Sequence, residues 1–188
     1  MEYQGLPRSE AGPRERVLVR IERCVGCRNC ELACAVAHSQ SRTLAAAIRE
    51  DPRPQRRIYV EAVAASRAPF LCRHCDDAPC ARACPTRALF QDPESGLVAY
   101  EAARCIGCHG CLMACPFGMI QAGRGSPFIV KCDRCPDRDQ PACVAACPTG
   151  ALLLEGAYLK MRRRDAIARL TRAARQGRAE LPPLEASP

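Results

Sequence analysis

The apolar residues of this chain fall into short runs separated by turn-forming residues, a pattern typical of small β-strands. Two hairpins are predicted, one from 88–90 and 97–100 around a turn at 92–96, the other from 119–121 and 128–130 around a glycine turn. Further strands are predicted at 17–21 and 58–60, and a turn followed by a strand is predicted within 149–154.

Two segments carry a helical pattern instead. A short helix is predicted at 43–49, before prolines at 52 and 54 that would break it. A longer one is predicted at 158–175, with Gly177 marking its end. On this helix an apolar face is interrupted and surrounded by basic residues, so it is either a solvated surface helix or a surface for an acidic partner or a membrane. Residues 1–16 are predicted to be a flexible lead, and 179–188 a loose, proline-containing extension.

Sixteen cysteines indicate a metal-binding chemistry, because they form four groups of four and no cysteine lies outside a group. The first and third groups have the spacing CxxCxxCxxxC, and the second and fourth have a longer gap before the third cysteine. The four quartets are Cys24, Cys27, Cys30 and Cys34; Cys72, Cys75, Cys80 and Cys84; Cys105, Cys108, Cys111 and Cys115; and Cys132, Cys135, Cys143 and Cys147.

The run CxxCxxCxxxCP is the bacterial ferredoxin ligand pattern for a cubane [4Fe–4S] cluster. The fourth cysteine of such a run is expected to start a helix and to reach a neighbouring cluster, and a following proline suits that turn. A proline follows Cys84, Cys115 and Cys147, whereas Ala35 follows Cys34. We therefore expect four clusters and a different local turn after Cys34.

Two other uses of the cysteines compete with clusters. Disulfides suit small secreted scaffolds, but this chain begins without an apolar signal region, and CxxCxxC spacing is poor for bridging. Zinc commonly takes CxxC pairs, yet a zinc site does not need complete, repeated quartets. A colourless, zinc-bound scaffold stays the alternative to an iron–sulfur protein.

Composition agrees with cofactor-dependent folding. Aromatic residues make up only 4% of the chain and tryptophan is absent, so a conventional core would be thin and the apo chain should be largely disordered. The formal charge of +8 invites a nucleic-acid interpretation. Four oxidised, thiolate-ligated clusters would add about −8, however, and bring the chain near neutrality. With no predicted membrane span, we expect a cytoplasmic protein that binds no nucleic acid.

Four stretches, RCVGCRNCELACAVAHSQS, LCRHCDDAPCARACPTRAL, RCIGCHGCLMACPFGMI and KCDRCPDRDQPACVAACPTGAL, resemble the four-cluster electron-transfer subunits of redox complexes. That family includes iron–sulfur subunits of carbon monoxide dehydrogenase, formate hydrogenlyase, tungsten or molybdenum aldehyde and formate oxidoreductases, and dimethyl sulfoxide reductase. The phrase ELACAVAHSQS is most similar to the carbon monoxide dehydrogenase and hydrogenase-linked branch.

The resemblance implies an α+β fold of two nested bacterial-ferredoxin-like modules with short hairpins and helices. The outer module would be 17–71 with 117–156, the inner 72–116, and 157–188 a basic helix and tail. It also implies that the two quartets within each module exchange their fourth cysteines. The implied ligand sets are Cys24, Cys27, Cys30 and Cys147; Cys132, Cys135, Cys143 and Cys34; Cys72, Cys75, Cys80 and Cys115; and Cys105, Cys108, Cys111 and Cys84.

The implied role is electron transfer without catalysis. Four closed cubanes would use every cysteine, and the sequence has no GxGxxG, Walker or HExxH motif. The implied partner is a catalytic oxidoreductase subunit of the carbon monoxide dehydrogenase, hydrogenase, or tungsten or molybdenum type. A ferredoxin, a flavoprotein, further copies of the chain or a membrane quinone-reactive protein are further candidates. His74 and His109 lie inside cysteine loops, where they tune a cluster, couple it to protons or are exposed without a role. His38 is expected to be a hydrogen-bonded structural residue.

Overall fold

The protein is described by a computed structural model that covers residues 16–64 and 66–175. It is a mixture of two-stranded sheets, five short helices and one longer helix within these residues. The strands are β1 (Val17–Val19), β2 (Ile58–Val63), β3 (Ser66–Leu71), β4 (Leu89–Gln91), β5 (Val98–Tyr100), β6 (Ile120–Ala122), β7 (Ile129–Lys131) and β8 (Leu152–Leu154). The helices are α1 (Asn29–Ala37), α2 (Leu44–Ala47), α3 (Pro79–Arg82), α4 (Gly110–Ala114), α5 (Ala142–Ala145) and α6 (Glu155–Arg175).

The strands pair as four antiparallel ribbons. Three are hairpins, β2 with β3, β4 with β5 and β6 with β7, and the last two confirm the predicted hairpins. The fourth ribbon is long-range, because β1 pairs with β8 and places Val17 opposite Leu154. The sequence did not predict β3, whose arginine, serine and proline lack a strand-like alternation.

The cysteine loops end in short helices, but not as expected. In the second, third and fourth quartets a helix of four or five residues contains the third cysteine and ends before the fourth. The expectation that the fourth cysteine starts a helix is therefore wrong. The helix α1 differs, because it continues through Cys34 to Ala37. A proline at 35 would lie inside that helix, which explains why Ala35 takes the place of the usual proline.

The buried interior is small and rich in cysteine. One cluster of buried residues combines Leu89, Val98, Ile120 and Ile129 with Cys80 and Cys111. Another combines Ile58, Val60 and Leu152 with Cys30, Cys34 and Cys143. Ile58, Leu89, Leu152 and Val60 are the largest fully buried side chains of the described residues. The thin apolar core predicted from composition is thus observed.

The chain divides into two units, 1–154 and 155–188. The second begins with α6, which starts three residues before the predicted helix. Leu159, Ile167 and Leu170 of α6 are exposed, and the Arg162 guanidinium lies 5.9 Å from the centre of the Tyr158 ring. Gly177, the predicted extension and residues 1–15 of the predicted lead lie outside the described residues. Arg16, the last residue of the predicted lead, pairs with Asp76 at 3.1 Å. No helix in the described part of the chain is long and apolar enough to cross a bilayer.

Candidate metal centres

The structure gathers the sixteen cysteines around four cavities, each with an empty volume between about 300 and 340 Å³. Each cavity is lined by the first three cysteines of one quartet and the fourth cysteine of another. Site A has Cys24, Cys27, Cys30 and Cys147; site B has Cys132, Cys135, Cys143 and Cys34; site C has Cys72, Cys75, Cys80 and Cys115; and site D has Cys105, Cys108, Cys111 and Cys84.

A left-handed residue turns each loop between its first two cysteines. Gly26 (φ 70°) and Gly107 (φ 69°) hold this position at sites A and D. At Gly107 a Cβ atom would lie 2.9 Å from the carbonyl oxygen of Pro127, so the loop leaves no room for a side chain. His74 (φ 49°) and Arg134 (φ 66°) take the same position at sites C and B, although the left-handed region is unfavourable for residues with a Cβ atom.

Backbone N–H groups point at the fourth cysteines. Leu89 donates to the Cys84 sulfur at 3.5 Å and Met119 to the Cys115 sulfur at 3.4 Å. Burial raises the pKa of Cys84, but the N–H of Leu89 and the hydroxyl of Thr86 outweigh burial and lower the pKa. Leu152 and Thr149 do the same for Cys147. These donors stabilise negative charge on sulfur, which is the form of cysteine that binds iron.

Cys34 has a donor from a distant part of the chain. Because α1 does not end at Cys34, no turn directly after it supplies the N–H. Arg57, the residue before β2, donates instead at 3.3 Å. The sequence departure at Ala35 is therefore compensated by the loop that leads into the first hairpin.

The cysteines deep in the cavities have the opposite tendency. Burial raises the pKa of Cys30 to about 11 and that of Cys111 to about 11, and it raises that of Cys143 further, with help from neighbouring thiolates. A cavity with four sulfur donors and buried thiols needs positive charge to hold the thiolates. Iron supplies that charge, so the donor set fits a [4Fe–4S] cluster.

The same electrostatics give the order of the sites. Burial is the first cause of the raised pKa of Cys143 and Cys132, two thiols of site B. The charge of Cys30 in site A raises the pKa of Cys143 further, and the charge of Cys72 in site C does the same for Cys132. The helix α3, which carries Cys80 of site C, packs against α4, which carries a cysteine of site D. Site A therefore adjoins site B, site B adjoins site C, and site C adjoins site D.

A polar network surrounds site B. The His38 ring lies 2.7 Å through Nδ1 from the Cys34 carbonyl oxygen and 3.0 Å through Nε2 from Asp133. Asp133 also accepts from Arg57 at 2.5 Å and from the Cys135 N–H at 2.9 Å. Burial lowers the pKa of His38, but the hydrogen bonds to Asp133, Cys135 and Cys34 outweigh it and raise the pKa to about 12. His38 is hydrogen-bonded, as expected. His38 and Asp133 lie close to Cys135, which itself lines site B, so these three residues do not form a separate metal site.

The other two histidines contact backbone groups of other segments. His74 is buried, and its Nδ1 accepts the Val98 N–H at 3.1 Å. Burial, followed by the charges of Lys131 and Arg134, lowers the pKa of His74 to about 2, so it is neutral. The predicted alternative in which His74 is an exposed loop residue is therefore wrong. His109 begins α4 with a left-handed backbone, and its Nε2 lies 3.1 Å from the Pro127 carbonyl oxygen.

Three buried charged residues were missed by the sequence reasoning. Glu31 accepts the Val60 N–H at 2.6 Å and pairs with Arg56 at 3.5 Å. Lys131 and Arg134 flank Cys132 and are 4% and 5% exposed. A signal for Arg134 existed, because it occupies the loop position that is glycine in the first and third quartets.

Comparisons with known proteins identify the same chemistry. A 4Fe-4S dicluster domain matches residues 63–156, and a 4Fe-4S binding domain matches residues 21–37. The electron transport protein HydN of Escherichia coli K12 is 37% identical over 173 residues, which cover 80% of this chain and 97% of HydN. An iron-sulfur protein of Rhodospirillum rubrum is 40% identical over 147 residues, 70% of this chain and 76% of that protein. The thiosulfate reductase electron transfer subunit PhsB of Salmonella typhi is 34% identical over 146 residues, 70% of each chain.

These relatives confirm the predicted resemblance and decide between iron–sulfur clusters and zinc. Their names describe electron transport and electron transfer, in agreement with a subunit that does no substrate chemistry. The ferredoxin-like cysteine patterns, the small sheets and the sulfur-lined cavities agree with that description. The chain therefore belongs to the 4Fe-4S electron-transfer proteins, as an electron-transfer subunit that binds several [4Fe–4S] clusters.

Proposed function

We propose that the chain holds four [4Fe–4S] clusters, one at each of sites A to D, and passes electrons along them between a catalytic oxidoreductase subunit and a second redox partner. The observation that carries the proposal is the composition of the cavities, because each combines three cysteines of one quartet with the fourth cysteine of another. These are the ligand sets that the resemblance implies. Bound clusters would supply one-electron oxidation and reduction.

The exchange of ligands makes two nested modules. The pairing of β1 with β8 and the packing of α1 on α5 support an outer module of 17–71 and 117–156, which contains sites A and B. The packing of α3 on α4 supports an inner module of 72–116, which contains sites C and D. Each module then resembles a bacterial two-cluster ferredoxin, in which the fourth cysteine of each run binds the other cluster.

The surface near the terminal sites suits partner docking. Cys27 at site A and Cys108 at site D are exposed, and beside them Val25 and Ile106 are 67% and 66% exposed. An exposed apolar side chain next to a ligand allows a partner to approach closely and to exclude water. We therefore assign sites A and D as the ends at which electrons enter and leave, and sites B and C as the connection between them.

The partner is proposed from the relatives. PhsB is named as the electron transfer subunit of a thiosulfate reductase, and HydN as an electron transport protein. For this chain we propose a catalytic subunit of the carbon monoxide dehydrogenase, hydrogenase, or tungsten or molybdenum oxidoreductase type. A ferredoxin, a flavoprotein or another copy of the chain would take the opposite end. We place this relay in the cytoplasm, where reducing conditions keep thiolates available for iron.

A second candidate is a link to a membrane quinone-reactive protein. It is favoured by α6, in which Lys160, Arg162, Arg163 and Arg164 accompany the exposed Leu159, Ile167 and Leu170. A basic, partly apolar helix can bind an acidic protein surface or an anionic membrane surface. A native complex that stays fully active and intact without membranes would contradict this candidate.

The ligand exchange is tested by three serine variants of the anaerobically prepared chain. Cys135→Ser and Cys34→Ser should change the same electron paramagnetic resonance signal, because both residues line site B. Cys27→Ser, from the quartet of Cys34, should change a different signal. If Cys34→Ser and Cys27→Ser altered one common signal, each quartet would close on its own cluster and the nested arrangement would be wrong.

The partner is tested by elemental analysis of the complex that purifies with the chain from its own cells. Nickel with iron would support a carbon monoxide dehydrogenase or hydrogenase partner, and tungsten or molybdenum with iron would support the oxidoreductase type. A chain that carries all of its clusters but purifies with no redox enzyme, even after cross-linking, would contradict the proposed relay.

A further inference from the structure

We propose that Arg134 sets the reduction potential of site B, and that its buried charge makes site B the first of the four sites to accept an electron. The inference rests on the proposed function, since it requires a cluster at site B. It adds that the highest potential lies inside the chain of sites and not at an exposed end.

Arg134 lies against the site B cavity and is almost completely buried, with 5% of its surface exposed. Its Nε and Nη1 atoms have no hydrogen-bond partner among the described residues. A guanidinium remains charged in a protein, and burying it without a partner is costly. An anion in the adjacent cavity would remove that cost, and a thiolate-ligated cluster is anionic.

The carboxylate next to Arg134 in the sequence has other partners. Asp133 is already bonded to His38 and to Arg57. Lys131 adds a second buried cation, whose Nζ donates to the carbonyl oxygens of Val98 at 2.6 Å and Cys132 at 2.8 Å. Among the described residues, no carboxylate is seen to pair with either side chain. Arg134 lines the site B cavity, whereas the charge of Lys131 acts on both Cys132 of site B and Cys80 of site C.

The other sites have no buried arginine at the corresponding loop position. At site A the side chain of Arg28 is 61% exposed and lies 3.7 Å from Glu31. At site C Arg73 is exposed and lies 4.5 Å from the centre of the Phe117 ring. Water screens exposed charges, so these arginines change a nearby potential little. At site D the loop position that corresponds to Arg134 is Gly107.

The direction of the effect follows from charge. Reduction adds one electron to a cluster that is already negative, and a buried cation stabilises the reduced form more than the oxidised form. Arg134 interacts with site B in a medium of low dielectric, where this difference is large. An electron that enters at site A or at site D should therefore rest at site B before it leaves.

The test is a reductive titration of the whole chain, followed by electron paramagnetic resonance, in which the site B signal is identified by its change in Cys34→Ser. We expect the site B signal to appear at the highest potential in the native protein. In Arg134→Gln the ratio of reduced to oxidised site B at a fixed potential should fall at least tenfold, which is about 59 mV for one electron. Arg134→Lys should restore most of the native ratio, and the control Arg73→Gln should leave the site C ratio within a factor of three.

Iron content separates the possible failures. An intact Arg134→Gln protein with an unchanged site B ratio would overturn the proposal, as would a native protein in which another site is reduced first, or a shift of equal size in Arg73→Gln. If Arg134→Gln loses iron, Arg134→Met decides in its place, with a lowered ratio supporting the proposal and an unchanged ratio overturning it. If Cys34→Ser and Cys135→Ser do not alter one common signal, the proposed function fails instead.

Discussion

Ala35→Pro tests the role of α1, because it would give the first quartet the same Cys-Pro ending as the other three. Sequence comparison within the chain makes it look harmless, yet the structure predicts damage. Ala35 lies in α1, a nine-residue helix, whereas the other fourth cysteines follow the end of a helix. A proline there removes a helical hydrogen bond, clashes with the carbonyl of Glu31 and biases Cys34 away from helical dihedrals.

The expected magnitude follows from these effects. Proline inside a helix costs about 3 kcal/mol or more. In a protein of this size that corresponds to a fall of roughly 6–12 °C in the midpoint of thermal unfolding. Cys34 lines site B and its carbonyl contacts His38, so the variant should also lose about four iron atoms per chain, the content of one cubane.

The assay is anaerobic thermal unfolding together with iron analysis. Ala35→Gly is the matched control, because it keeps the N–H group and should cost only about 1 kcal/mol. Pro85→Ala provides the reverse comparison at an exposed site outside a helix, where about 0.4–1 kcal/mol is expected. An Ala35→Pro protein with native iron content and a native midpoint would refute the assigned role of α1.

Three further predictions concern stability. Gly107→Ala should lower the free energy of unfolding by about 2–4 kcal/mol, because the backbone is left-handed and the new Cβ atom meets the Pro127 carbonyl oxygen. Gly96→Ala is the control and should cost about 1 kcal/mol, since the space around Gly96 is open. Equal thermal midpoints of the two variants would contradict the close contact at Gly107. Glu31→Ala should cost about 1–3 kcal/mol, since it leaves the Val60 N–H buried without its acceptor, and an unchanged midpoint would argue against that hydrogen bond. Chelator treatment should remove most native circular dichroism, because the core consists largely of cysteine, and a cooperative, native-like melt of the iron-free chain would disprove this.

Much of the fold could be predicted because the cysteines and the turns are local signals. The hairpin of β4 and β5 follows from two apolar runs around a turn that contains Asp92 and Gly96. The hairpin of β6 and β7 follows in the same way. Long-range pairing was harder, since nothing within β1 identifies β8 as its partner.

The charged surroundings of the sites could not be predicted from spacing. Arg57 donates to Cys34 across 23 positions of sequence, and Asp133 meets His38 across 95. Burial of Lys131 and Arg134 contradicts the usual exposure of basic residues, so composition and spacing did not predict it. The helix that contains Cys34 was also missed, although Ala35 was the signal for it.

The most direct test of the account is a crystal structure of the anaerobically prepared chain, with an anomalous difference map collected at the iron absorption edge. The account predicts four cubane clusters, with Cys34, Cys84, Cys115 and Cys147 each bound to a cluster whose other three ligands come from a different quartet. Four clusters each held within a single quartet, or metal sites without an iron signal, would contradict it.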